Sequence, residues 1–149
     1  MTIHIRSQKF ARAAFEQVLS RSESRETQKK EYLSFTRSFP TMIHTSGLSQ
    51  ALAFAMAKGT KQPEKRYVID DLCRVLHAAG HGWLPGDGEI NGAALAQRAR
   101  ADTDAVEYMR LTRHSLQAAS WIKRYAEALL VEVDPKSDLD EQPDEVVKT

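Results

Sequence analysis

Residues 39–59 read FPTMIHTSGLSQALAFAMAKG. Pro40 stands near the start, Ser46 and Gly47 interrupt the middle, and Gly59 closes the stretch. Between the two glycines lies a compact, alanine-rich apolar segment from Leu48 to Ala57, carrying Leu52 and Phe54. Glycine reaches backbone conformations that stop a helix without a side-chain penalty, so the stretch predicts a helix, a tight turn at Gly47, and a second short helix stopped at Gly59. Leu52 and Phe54 are expected in the core. Upstream, Tyr32, Phe35 and Phe39 share a helical face, and Pro40 is expected to reset the chain direction.

The same period runs outward in both directions. From about Ser7, Phe10, Ala14 and Val18 fall on one face, with Ala11, Phe15 and Leu19 beside them. Residues 20–31, SRSESRETQKKE, hold no apolar side chain and fit either a loop or a solvated helical extension. Pro63 suits the first turn of a further helix, whose apolar face is Val68, Leu72, Val75, Leu76 and Ala79, with Gly80 as its stop. HGWLPGDGEING reads as a loop, Ala93 to Arg100 as a short helix, and Asp102 as the N-cap of a long helix from about Thr103 to Val131. Leu72, Leu116, Ile122 and Leu129 join the expected core. The fold class is all-α: a bundle of five to six helices over residues 1–134, with a disordered acidic C-terminal tail over 135–149.

Composition narrows the function. The chain has 149 residues and a single cysteine, Cys73, so no intramolecular disulfide can form and a reducing, cytoplasmic setting is expected. No apolar run approaches the roughly 20 residues that cross a bilayer, so no membrane role is expected. The formal charge of +1 hides an asymmetry: from Glu132 onward seven acids face two lysines, a net of −5 that leaves +6 on residues 1–131. A basic body suits a polyanion.

On a wheel of about 100° per residue, Leu111, Ala119, Ile122, Ala126, Leu129 and Leu130 share the core side of the last helix. Arg110, Arg113, Gln117 and Arg124 fall within about 60° of one another on the opposite side, with Trp121 and His114 at the edge and no acid in the strip. Such a strip is either a solvated face or a phosphate-tracking path with an aromatic for a base or a partner. Other constellations carry less. Asp70, Cys73, His77 and His81 have helical spacing for a metal, but Gly80 displaces His81 and no Glu follows His77. The loop at Asp87 lacks the closing acid of a calcium loop, having Arg98 in that place. His44 and Ser46 lack an orienting acid, and Ser46 fits better as an N-cap for the next helix. No catalytic residue, metal or cofactor is expected.

Three strings carry a resemblance: Tyr32 with Phe39, Pro40, Met42 and Ile43; then Gly47, Leu48, Gln50, Leu52, Ala53 and Phe54; then Trp121, Lys123, Arg124, Tyr125, Ala126, Glu127 and Ala128. Their order and spacing resemble the small all-helical subunit of Cmr-type (type III-B) CRISPR RNA-guided effector complexes of antiviral defence. The resemblance implies a non-catalytic structural subunit. It implies partners too: the repeated backbone subunits, the large polymerase-like subunit, neighbouring copies of itself, and guide and target RNA. Arg110, Arg113, Gln117, Trp121 and Arg124 are the candidate RNA-binding residues. The alternative is a free-standing helical adaptor or regulator that binds a protein partner.

Overall fold

The computed structural model describes residues 6–79, 89–101 and 104–131. These form six helices, α1 (Arg6–Arg21), α2 (Glu26–Ser46), α3 (Leu48–Lys58), α4 (Pro63–Ala78), α5 (Gly92–Ala101) and α6 (Ala105–Leu129), and no strand occurs among the described residues. The all-α expectation holds. The loop around Trp83, the stop at Gly80 and the acidic tail lie outside the described residues.

α4 is the hub, packing on each of the other five helices. Its sequence explains this, because Val68, Ile69, Leu72, Cys73, Val75 and Leu76 are all buried and wrap most of its circumference. α6 runs back along α2. Its first turn reaches Ser49, just past the end of α2, and Glu127 near its other end pairs with Arg37 at 3.4 Å. α1 lies against α6 and α4 through Phe10, Ala13, Ala14 and Val18.

The Gly47 turn forms as expected. Gly47 has φ 86° and ψ 158°, a region that side chains resist, and it is the one described residue with positive φ. The capping differs from expectation: Ser46 is exposed as the last residue of α2, and Gly47 takes the N-cap position of α3 without a side-chain bond. The missing cap comes from afar, since the Ser49 N–H donates to the Tyr108 hydroxyl at 3.1 Å. Gly59 does close α3, and Pro63 does open α4.

Four further expectations need correction. α2 passes through Pro40, which sits inside the helix. The proline forfeits one backbone bond, but Tyr32, Thr36, Phe39 and Ile43 keep one buried stripe across it, and that packing outweighs the local signal. Phe54 is 38% exposed, because α3 buries the face made by Leu48, Ala51, Leu52 and Ala55. The N-cap of α6 is Asp104, whose carboxylate accepts from the Val106 N–H at 2.9 Å; the expected cap at Asp102 lies outside the described residues. Leu116 and Leu129 are packed against the core but only partly buried, whereas Leu52, Leu72 and Ile122 are fully within it. The polar stretch 20–31 combines both alternatives: α1 continues to Arg21, a turn follows, and α2 begins at Glu26.

Candidate nucleic-acid interface

From Leu111 to Ala126 α6 is amphipathic, so its buried residues dictate what its other side presents. Leu111, Ser115, Ala118, Ala119, Ile122 and Ala126 face the bundle. Arg110, Arg113, Gln117 and Arg124 are all exposed, which leaves them along one outer strip of the helix. Arg110 lies 3.7 Å from Glu107, one turn before it, a solvent-exposed pair that contributes little. Among the described residues, neither Arg113 nor Arg124 meets a carboxylate. Two of the three arginines thus have no carboxylate partner among the described residues.

Trp121 is half-buried at the edge of the strip. Its ring stacks on Tyr125 with centroids 5.8 Å apart and planes 23° apart, and Tyr125 in turn meets Phe15 of α1 edge-on at 5.4 Å. The Arg124 guanidinium lies 5.7 Å from the Trp121 centroid, within cation–π range. The ring is thus fixed from behind by α1 and held close to a cation. Beside it is a cleft of about 300 Å³ lined by Ser7, Leu116, Gln117, Ser120, Trp121 and Arg124.

His114, placed by the helical wheel at the edge of the strip, is instead buried. α1 covers it: Phe10 meets its ring edge-on at 5.8 Å, and the Arg6 guanidinium donates to Nε2 at 3.0 Å. Burial first, then the charges of Arg6, Arg110 and Arg113, hold its imidazole below the ordinary value of 6.5.

Sequence reasoning missed the polar centre of the bundle. Asp71 is fully buried and accepts from Arg21 twice, Nε at 2.9 Å and Nη2 at 2.9 Å, from the Tyr32 hydroxyl at 2.6 Å, and from Arg74 at 3.0 Å. Arg21 also lies 4.7 Å from the Tyr67 ring. This ties α1, α2 and α4 together. A signal was available, since Asp71 falls among the apolar positions of α4. Of the four residues with helical metal spacing, Asp70 accepts the Gly92 N–H at 2.6 Å, Cys73 is buried with its thiol pushed up to about 12 mainly by desolvation, His77 is exposed, and His81 lies outside the described residues. Among the described residues no group of three metal-ligating side chains occurs, and no helix is long and apolar enough to cross a membrane.

Comparison with known proteins fits this architecture. The family model described as CRISPR-associated protein (Cas_Cmr5) matches residues 6–129. The CRISPR system Cmr subunit Cmr5 of Thermus thermophilus is 36% identical over 127 residues, covering 85% of this chain and 97% of that protein. A crystal structure of a CRISPR-associated Cmr5 family protein from Thermus thermophilus superposes with a TM-score of 0.69 at 32% identity, over 85% of this chain and 98% of the other. With the family model spanning all six helices, this chain belongs to the Cmr5 family of CRISPR-associated proteins.

Proposed function

We propose that the chain is a non-catalytic structural subunit of a type III-B (Cmr-type) CRISPR effector complex. It packs beside the repeated backbone subunits, the large subunit and copies of itself, and it holds target RNA by contacts that do not read sequence. Family membership supports the place in the complex. The observation that carries the RNA contact is the exposed strip of Arg110, Arg113, Gln117 and Arg124 on one side of α6. Phosphate contacts position a strand, while guide pairing reads it, so shape and charge suffice for this role. The non-catalytic reading is supported by where the reactive side chains are spent. Asp71 is taken up by donors from Arg21, Tyr32 and Arg74, the Cys73 thiol is held protonated, and His114 accepts a bond from Arg6.

The test is a salt titration of target-RNA capture by the assembled complex, with Arg110, Arg113 and Arg124 all replaced by Ala. Each phosphate contact on a single strand contributes about 0.7 to the log–log salt slope, so the triple variant should lose up to about 2. The loss should be equal for unrelated target sequences. A complex that assembles normally and keeps its affinity and slope would place the RNA path elsewhere.

A further inference from the structure

The cleft beside Trp121 has features that a phosphate path does not need. It is lined by Trp121, Arg124, the aliphatic Leu116, and three neutral polar residues: Gln117, Ser120 and Ser7. None of those three side chains has a hydrogen-bond partner among the described residues. Tyr125, stacked on the same indole, is not part of the lining. An indole with a guanidinium over its ring, and adaptable donors and acceptors around them, suits a planar heterocycle. The strip arginines lie on the same helix, at the distance of a turn or two.

We propose that this cleft receives one unstacked nucleobase of the strand whose phosphates meet Arg113 and Arg124. The inference rests on the RNA-path reading and adds to it a base contact. Stacking is open to every base, so the contact anchors the strand without selecting sequence. Arg124 takes part in both, at the rim of the cleft and on the strip.

The test is nuclear magnetic resonance of the full-length chain, titrated to millimolar levels with adenosine 5′-monophosphate and, separately, with ribose 5-phosphate. Both carry the phosphate; one carries the base. The expected result is a saturable shift of the Trp121 indole N–H and the Gln117 side-chain amide with the nucleotide, absent with the sugar phosphate, with the Trp83 indole as internal reference. Ser120→Leu, which fills the cleft while keeping the ring, should abolish the shift; Trp121→Phe should keep the Gln117 shift in weakened form. Equal shifts with both ligands would overturn the base contact and leave the phosphate strip standing. No shift with either would also overturn it, leaving the strip to be judged by the salt titration. The same holds if Trp121→Ala weakens assembly of the complex and the nucleotide leaves Gln117 unmoved, for the indole would then be a subunit contact.

Discussion

Asp71 shows how much of this bundle depends on one carboxylate. It is fully buried, and its two oxygens take four donors from three other side chains. A buried ion pair adds little over an apolar substitute, but breaking one leaves an uncompensated charge. Asp71→Ala should therefore cost about 3–5 kcal/mol in urea unfolding, since Arg21 would remain beneath Tyr67 without its acceptor. Tyr32→Phe removes one donor to a charged acceptor and should cost about 1.5–3 kcal/mol. A loss below about 1 kcal/mol in the first variant would mean that water replaces the carboxylate. His114 makes a second residue-scale prediction. Its imidazole is held below 6.5, so the fold resists protonating it. Above that value folded and unfolded chains are both neutral there. As pH falls through it the unfolded chain gains a proton the fold refuses, and stability is lost on the acid side. The melting temperature should drop from about pH 7.5 to about pH 5.5, a range in which ordinary carboxylates stay ionised, and His114→Gln should flatten the drop. An unchanged slope in the variant would assign the acid sensitivity to another group.

At the scale of elements, Gly47 and Gly92 are constrained in two different ways. At Gly47 an added Cβ would find only the Tyr108 hydroxyl, 3.8 Å away, so space is open and the backbone angle is the whole constraint. Gly47→Ala should cost about 1–3 kcal/mol through conformation alone, and Tyr108→Phe should not relieve it. At Gly92 the angle is ordinary, but a Cβ would run into Cγ1 and Cδ1 of Ile69, so Gly92→Ala should be partly rescued by Ile69→Ala, which removes both atoms. Rescue at Gly47, or none at Gly92, would reverse these assignments. The Gly47 turn was legible because turn chemistry is local. Pro40 was not, because the α2 stripe that carries the helix through it counts only once other helices cover it. Phe54 was misjudged for a related reason: a helix apolar nearly all round does not declare which side is covered. Its ring is 6.5 Å from that of Phe35, stacked at the margin of the core. The arginine strip could be drawn from a wheel, whereas the burial of His114 and the lining of the cleft depend on α1, more than a hundred residues away in sequence.

At the scale of the whole molecule the decisive quantity is the distribution of charge. Residues 132–149 carry a net −5, and the remainder +6. The described bundle ends at Val131, which lies with Leu33 and Arg37 along one groove of α2. A segment with so few apolar residues has little to contribute to the core, so deleting residues 132–149 should leave the melting temperature nearly unchanged. Its effect on RNA should be electrostatic. Seven acids tethered to the bundle lower the potential that a phosphate strand meets at Arg113 and Arg124, so the shortened chain, built into the complex, should capture target RNA more tightly at low salt. The gain should shrink as salt rises, because the screening length is about 10 Å at 0.1 M and about 3 Å at 1 M. Affinities measured across that range for both chains decide the matter. Converging curves support long-range competition between the acidic segment and RNA, and curves that coincide at every salt show that its charge does not reach the strip. A melting temperature lowered by several degrees would point instead to the groove beside Val131 as the place where the segment is held.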